Sequence, residues 1–574
     1  MQDAMNWLAR DPDPRTREEL QHLIDEGMHD ELEDRFTQRL EFGTAGLRGK
    51  VGCGPNRMNR LVIQETATGL GHYLIEHVAN ASIRGVVVGY DGRLDSKQFA
   101  IDTASVLTAL GIKVYLTSDV AATPIVAFGI EHFNAAAAVV VTASHNPPEY
   151  NGFKVYWENG AQIIPPHDAG IAGEIDIAST KPIPLMSLSD AETQGKLVWL
   201  TEGYYQTYRA AINQSPYVNN ALESANTTIT YTAMHGVGAK MAEDLLHDAG
   251  FHKVFSVAEQ REPDGNFPTV NFPNPEEKGA MDLVVNLAKS VDADIACAND
   301  PDADRFAVAV RTDDTARTDD ASYKMLTGDQ VGVLFAHYLL SKPHTKNQLV
   351  GNSIVSSTLL EKVAQSHGAT YFQTLTGFKW LANIGMQLED EQNEFLFAYE
   401  EALGYTIGTQ VRDKDGLSAI VVFAQLVEEL KSQGRTVWDL LAQISFEHGV
   451  HTNAQRSLAL DPDSPSIGSK LRAAQPKAIN GVAISVIEDL QSSLRFVIGG
   501  NTEAINLPSS DVLIYHLEDD TRIIVRPSGT EPKVKVYYET VTKFEGTETY
   551  EDTRLRGEED MSKLIEQHQQ ELNS

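Results

Sequence analysis

Short apolar runs alternate with longer amphipathic segments along most of the chain, and the two periods predict strands and helices in α/β succession. Val86–Gly89 reads as a strand, Ser96–Leu110 as a helix, Lys113–Leu116 as a strand, Pro124–Phe133 as a short helix and Ala135–Val141 as a buried strand. A second series begins near Tyr204: strand Thr228–Thr232, helix Gly238–Ala249, strand Val254–Val257, helix Gly279–Ser290, then strands Asp294–Ala298 and Phe306–Val310. A third holds helix Asp329–Leu340, strand Leu349–Ile354, a helix through Ala364, strand Phe395–Tyr399, and helices Ser418–Gly434 and Val437–His448. The polar stretch Arg311–Ala321 reads as a hairpin tip or domain joint, and Leu458–Lys477, with prolines at 462, 465 and 476, as a linker. Strands Ala483–Ile487, Val512–Leu517, Thr521–Val525 and Val534–Glu539 then predict a small α+β domain ending in a helix. The resulting division is 1–203, 204–318, 319–457 and 458–574.

Composition narrows the class. Hydrophobic residues make up 42% and charged residues 22% of 574, as expected of globular domains with real cores. The N-terminus has no apolar segment of the signal-peptide kind, and the apolar run Ala135–Val141 is far short of the ~20 residues that cross a bilayer. Cys53 and Cys297 stand outside any CxxC pattern, so neither a disulfide framework nor a thiolate zinc site is expected, and a reducing cytoplasmic setting fits. The net charge of −33, from 80 acids against 47 bases, repels nucleic acid and anionic membrane, and neither is expected as a partner. It also repels a phosphorylated substrate unless a cleft gathers bases locally.

Several buried strands run into short polar loops: GYDGR after Val88, TASHNP after Val141, NDPDADR after Ala298 and YEEALGY after Phe397. Ligands of open α/β sheets collect beyond the carboxyl ends of strands. In TASHNPPEYNGFK, Ser144 is placed as a nucleophile, His145 and Lys154 as acid–base or cationic neighbours, and Asn146-Pro147-Pro148 stiffens the loop. Asp300, Asp302 and Asp304 are three carboxylates in five residues, whose repulsion calls for a cation; all-oxygen ligands favour Mg²⁺. An EF-hand does not fit, because Arg305 stands where that loop needs glycine and Phe306–Val310 is apolar. RPSGTEPK offers a phosphate cradle, with Arg526 as a fork and Ser528, Gly529 and Thr530 as hydroxyl and backbone donors, followed by Lys533. Glu400 and Glu401 can accept hydrogen bonds from vicinal sugar hydroxyls, and Lys379, Arg48 and Lys50 lie in glycine-containing turns. MHGVG, Met234–Gly238, joins a strand to a helix, where tight packing alone explains a glycine. Taken singly, each of these residues has an ordinary structural explanation: a turn cap, a solvated acid or a surface base.

Taken together they resemble the α-D-phosphohexomutase family. TASHNP is similar to that family's phosphoserine loop, DPDADR to its metal loop, EEALG to its sugar-binding loop and RPSGTEPK to its phosphate-binding loop, in family order and across nearly the whole chain. The resemblance implies three related α/β domains plus a smaller C-terminal α+β domain around a central cleft. It implies that Ser144 carries phosphate and lies at the metal with Asp300, Asp302 and Asp304, with Mg²⁺ bound and Arg305 nearby. Glu400, with Glu401, would match the sugar-hydroxyl acceptor. Arg526, Ser528, Gly529, Thr530 and Lys533 would hold the non-reacting phosphate; Arg48, His145, Lys154 and Lys379 match basic or acid–base positions. The expected reaction interconverts glucose 1-phosphate and glucose 6-phosphate through glucose 1,6-bisphosphate, by a monomer or weak dimer acting on a small molecule. Phosphomannomutase and phosphopentomutase are the alternatives within the mechanism; a phosphosugar phosphatase or a non-catalytic phosphosugar binder are those outside it. One position departs from the glucose- and mannose-specific pattern: Ala402 stands where those members commonly carry serine, as in the branch of type-2 phosphoglucomutases and phosphopentomutases.

Overall fold

The structure is a computed structural model that describes residues 1–43, 46–219, 225–312, 322–459, 467–527 and 533–573. Two compact units make it up: Met1–Gly328 with Gly377–Gly434, and Asp329–Thr376 with Arg435–Ser574.

In the first unit, one sheet runs in the order Phe42–Gly43, Gly46–Lys50, Tyr150–Trp157, Ala137–Val141, Val86–Tyr90, Val114–Thr117, Leu197–Leu200. Its central strands, Ala137–Val141, Val86–Tyr90 and Val114–Thr117, are parallel and wholly buried, which is why they read as short, largely apolar runs without a polar–apolar alternation. The helix Arg60–His77 starts at Asn59, whose side chain accepts from Val62 N, and it packs on the helix His167–Ser179 at very short range. A Cβ on Gly69 would stand 2.5 Å from the Ile175 nitrogen, so only glycine allows that approach. A second sheet has the order Tyr323–Met325, Ala307–Arg311, Ile295–Ala298, Ile229–Thr232, Val254–Ser256. The hairpin Asn393–Glu400 and Gly404–Ile407, the helix Phe378–Leu388 and the helix Gly416–Ser432 complete the unit. Asp415 caps the last helix by accepting from Leu417 N at 3.0 Å and Ser418 N at 3.1 Å.

In the second unit, Asn347–Ser353 pairs in parallel with Thr370–Thr374, and Val437–His448 starts with a Thr436–Asp439 capping box. An antiparallel sheet follows in the order Val450–Ala459, Lys533–Thr542, Arg522–Pro527, Leu513–Leu517, Val482–Asp489, Leu494–Val497, Thr502–Ala504. Met561, Leu564 and Ile565 of the helix Tyr550–Asn573 close its core.

The elements named from the sequence are found within a few residues, in the α/β succession expected. One expectation is corrected. The supposed linker Leu458–Lys477 begins inside the strand Val450–Ala459 and contains the helix Ile467–Ala473, whose Arg472 pairs with Asp489 at 2.9 Å and Asp511 at 2.6 Å. Proline density suggested a spacer, but Pro476 merely follows the helix end; residues 460–466 lie outside those described. Residues 313–321 of the polar stretch Arg311–Ala321 likewise lie outside them, between the antiparallel strands Ala307–Arg311 and Tyr323–Met325. Three N-terminal helices, Gln2–Arg10, Pro14–Asp25 and His29–Phe36, were not expected; Trp7, Leu20 and Leu23 join the first core.

Candidate active site

Ser144 lies between the parallel strand Ala137–Val141 and the antiparallel strand Tyr150–Trp157, with φ at +51°, in the left-handed region that non-glycine residues adopt only when held there. Its backbone N–H donates to Thr142 Oγ1 at 2.8 Å, and its own hydroxyl donates to Asp300 Oδ2, also at 2.8 Å. The His145 Nδ1 stands 3.3 Å from the same Oγ. Two loops far apart in sequence therefore meet at one oxygen.

The acidic loop follows the buried strand Ile295–Ala298, and its three carboxylates are buried with ligand oxygens within 4.8 Å of one another. Pro301 accepts the Val237 N–H at 2.9 Å, and a Cβ on Gly236 would stand 2.4 Å from the Pro301 Cα. Gly236 of MHGVG is thus required by its packing on the acidic loop. On the other side, Thr123 donates from its backbone to the Asp302 carbonyl at 2.9 Å and from its hydroxyl to Asp302 Oδ2 at 2.5 Å.

Two lysines answer the charge. Lys154 Nζ lies 2.6 Å from Asp302 Oδ2 and 2.8 Å from Asp304 Oδ2; Lys414 Nζ lies 3.5 Å from the latter oxygen and 3.0 Å from Asp413 Oδ1. Burial, then the charges of Asp302 and Asp304, hold the Asp300 carboxyl well above the usual carboxylate range. Burial would raise Asp302 as well, but Lys154 and the Thr123 hydroxyl bring it below that range. Burial alone would lower Lys154, yet Asp302, Asp304 and Asp413 raise it. Asp302 Oδ1 and Asp304 Oδ1 are buried and accept no hydrogen bond. Buried carboxylate oxygens without donors, beside a third carboxylate and a hydroxyl, are a donor set that fits a hard divalent cation.

The sugar-reading candidates belong to the same unit. Arg305 donates to the Ala402 carbonyl, and the Leu403 carbonyl accepts from Phe306 N at 3.1 Å, so the acidic loop and YEEALGY are bonded directly. Glu400 ends its strand and accepts from Gly377 N at 2.7 Å; burial, then Glu401, raises its pKa. Glu401 is half-buried in the turn. Lys379 is buried in the first turn of the helix Phe378–Leu388, and burial lowers its pKa. Arg48 donates to Asn146 Oδ1 at 2.8 Å, touching the serine loop; burial lowers its pKa too.

Ser144, His145, Lys154, Arg48, the three aspartates, Arg305, Glu400 and Lys379 thus all fall in the first unit. Arg526 is half-buried in the strand Arg522–Pro527 of the second unit. Ser528, Gly529 and Thr530 lie outside the described residues, and Lys533 opens the strand Lys533–Thr542. Sequence reasoning missed Thr123, Asp413 and Lys414. For Asp413 and Lys414 the signal was available: DKDG before a helix start puts a lysine between two acids, one of them an N-cap. Nothing in the sequence marked Thr123.

Three buried carboxylates thus meet a serine hydroxyl within the α/β frame of the first unit. The chain matches the models of phosphoglucomutase/phosphomannomutase α/β/α domain I over residues 39–181, domain II over 205–313, domain III over 327–445 and the C-terminal domain over 499–556. It is 35% identical over 552 residues to a probable phosphoribomutase of Schizosaccharomyces pombe, covering 92% of each chain. To a probable phosphomannomutase of Haemophilus influenzae it is 39% identical over 490 residues, covering 84% of this chain and 92% of the relative. To a phosphoglucomutase of Staphylococcus haemolyticus it is 36% identical over 513 residues, covering 88% and 91%. The chain belongs to the phosphoglucomutase/phosphomannomutase family and is an intramolecular phosphotransferase acting on sugar phosphate. Among the described residues no helix is long and apolar enough to cross a membrane.

Proposed function

We propose that the protein is a phosphoglucomutase that interconverts glucose 1-phosphate and glucose 6-phosphate, with Ser144 as phosphate carrier. The observation that carries the reading is the 2.8 Å hydrogen bond from Ser144 Oγ to Asp300 within the buried carboxylate cluster.

Asp300, Asp302 and Asp304, with the Ser144 oxygen, would hold Mg²⁺, which when bound supplies Lewis-acid stabilisation of charge on the phosphoryl oxygens. Phosphoserine 144 loses its Oγ–P bond as a free sugar hydroxyl forms a new O–P bond. The hydroxyl proton passes to His145, whose pKa burial lowers, and a proton returns to Oγ; Lys154, held as the ammonium by Asp302 and Asp304, serves as a cation beside the transferring group. Arg305 and Arg48 neutralise charge on the transferring group. The sugar bisphosphate then presents its other phosphate to Ser144, whose Oγ takes it back and leaves the isomer. Arg526 and the loop through Lys533 hold the phosphate that is not reacting, and Glu400 with Glu401 accepts sugar hydroxyls. Lys379 adds a buried cation to the substrate side.

A specific observation favours a pentose as the second reading: Ala402 lacks the hydroxyl that glucose- and mannose-specific members commonly place two residues after the glutamate, and two relatives are named as phosphoribomutases, one of them as probable. The test is a coupled assay of the purified protein with glucose, mannose and ribose 1-phosphates, Mg²⁺ and catalytic bisphosphate. Glucose 1-phosphate should give the highest kcat/KM; a tenfold preference for ribose 1-phosphate assigns the second reading, and release of inorganic phosphate alone makes it a phosphatase.

A further inference from the structure

Arg93 belongs to the GYDGR loop after the strand Val86–Tyr90, and the reaction above gives it no part. Its side chain is buried, and its guanidinium fills the inside of the serine loop. One terminal nitrogen donates to the carbonyls of Pro147 at 2.8 Å and Tyr150 at 3.0 Å. The other donates to the carbonyls of Ser144 at 2.7 Å and Asn146 at 2.6 Å. Four main-chain acceptors between residues 144 and 150 converge on one planar cation. Asp91, itself buried, is the counter-ion at 3.2 Å, fixed in turn by the Ser96 hydroxyl at 2.6 Å and by Arg93 N at 3.1 Å.

The loop has few means of holding its own shape. Pro147 and Pro148 carry no N–H; inside the loop Asn146 N donates to the Ala143 carbonyl at 3.0 Å and Tyr150 N to that of Pro147 at 3.1 Å, which leaves the carbonyls of Ser144 and Asn146 to a donor from elsewhere. Ser144 is at φ +51°, a conformation that persists only where the surroundings over-determine it. A bidentate guanidinium meets both needs, and a lysine ammonium lacks the planar fork to do so.

A second element bears on the same group. The Phe267 ring lies over the guanidinium, 5.1 Å from its carbon, and is buried. Its segment touches the GYDGR loop so closely that a Cβ on Gly265 would stand 2.7 Å from Leu94 N, and one on Gly92 2.8 Å from the Pro263 Cβ. Arg93 is therefore clamped between the serine loop, Asp91 and residues 263–267.

We infer that Arg93 is the positioning residue of the phosphate-carrying serine: a buried guanidinium around which the 144–150 loop is moulded so that Oγ is aimed at Asp300, with Phe267 holding it in place. The inference rests on the reading of Ser144 as phosphate carrier. Misplacing a reacting atom by about 1 Å costs about a hundredfold in rate, so the effect belongs to the transfer step and not to substrate affinity.

The test uses the full-length protein with Arg93→Lys and Phe267→Leu. Three quantities are read per folded molecule: the rate at which glucose 1,6-bisphosphate phosphorylates Ser144, amide exchange across residues 142–151, and calorimetric affinity for glucose 6-phosphate. Arg93→Lys should slow phosphorylation about a hundredfold and speed loop exchange, with affinity within about threefold of the parent; Phe267→Leu should move both in the same direction by less. Parental phosphorylation with parental exchange in Arg93→Lys overturns the inference, and so does slow phosphorylation behind an unchanged loop. Should Arg93→Lys fail to fold, Phe267→Leu decides on the same two readouts. If the parent takes no phosphate at Ser144, the function reading fails instead, and loop exchange alone then decides whether Arg93 moulds the loop.

Discussion

Ser144 Oγ donates to Asp300 Oδ2 across 2.8 Å, joining positions 156 residues apart. A phosphate carried on that oxygen would enter a cluster of three buried carboxylates, a placement tenable only with cations beside it. Lys154 and Lys414 supply two, Arg305 a third, and Asp302 Oδ1 and Asp304 Oδ1 still accept no hydrogen bond. The serine and the carboxylates are thus one device, and the predictions test its parts.

Protein incubated with glucose 1,6-bisphosphate should gain one phosphate, localised by fragmentation to Ser144. Ser144→Ala should lose several orders of magnitude in kcat while keeping its fold, because covalent transfer is the reaction path. Full turnover in that variant, with phosphate elsewhere, defeats the mechanism.

Chelator should abolish activity and Mg²⁺ restore it. Independently of activity, Mg²⁺ should raise the Tm of the parent, since a ligand bound only by the native state stabilises it. Asp302→Asn should fold, lose most of that Mg²⁺-dependent Tm shift and turn over poorly. Undiminished turnover in metal-free protein would contradict the assignment of the cluster.

Where local chemistry decided the structure, the sequence was legible. The buried strands Val86–Tyr90, Ala137–Val141 and Ile295–Ala298 are apolar on both faces, and polar loops at their ends carry Ser144 and Asp300. Less legible was what depends on distant packing. Tyr150–Trp157 alternates too little to stand out, because seven of its eight residues are buried in an antiparallel setting between two strands. Thr123 opens an ordinary helix and gains meaning only from its bonds to Asp302. Arg93 was visible in GYDGR, yet only folding shows that its partners are carbonyls of another loop. Lys154 was placed near the chemistry by its motif, but its pairing with both Asp302 and Asp304 was not derivable from spacing.

Glu400 gives a pH dependence with a defined sign. Burial and Glu401 raise its pKa, so the carboxylate proposed to accept sugar hydroxyls is lost to protonation at a higher pH than an ordinary glutamate. The acid limb of kcat/KM should therefore lie above ~4.3, the unperturbed value. Glu400→Gln should lower the plateau and remove that limb. An acid limb unchanged in Glu400→Gln assigns it to another group.

A stability prediction concerns the second unit. Buried Glu539 pairs with Arg522 at 2.8 Å, accepts the Ser357 hydroxyl at 2.6 Å and lies 2.9 Å from His451 Nδ1. Burial alone would raise its pKa, but Arg522 and His451 hold it below the usual range. A depressed carboxyl contributes stability that is present above its unfolded value, ~4.3, and is lost as pH falls towards the folded value. Arg522→Met should cost about 3–5 kcal/mol at pH 7, because it leaves a buried charge unpaired. Glu539→Gln should flatten the acid dependence of amide exchange in Lys533–Thr542; an unchanged slope rejects the assignment.

The last prediction tests the proposal that one loop reads the sugar and another holds its phosphate. Glu400 is anchored by the Gly377 N–H, and the turn after it is bonded to the acidic loop through Arg305 and Ala402. A site built to pair a hydroxyl discriminates strongly, since an absent partner leaves a buried polar group unsatisfied. Glu400→Ala should therefore change the ranking of glucose, mannose and ribose 1-phosphates as well as the rate. On the proposed reading Arg526 grips a group common to all three, so Arg526→Ala should weaken each by a similar factor, about 1.5–3 kcal/mol for one charged hydrogen bond. Ala402→Ser provides the gain-of-function arm: the backbone carbonyl that accepts from Arg305 is retained, and the added hydroxyl should favour hexose over pentose. The measurement is kcat/KM for each variant with each sugar phosphate, at saturating Mg²⁺ and with the matching bisphosphate present. If Arg526→Ala reorders the substrates while Glu400→Ala scales them uniformly, the two loops have exchanged roles.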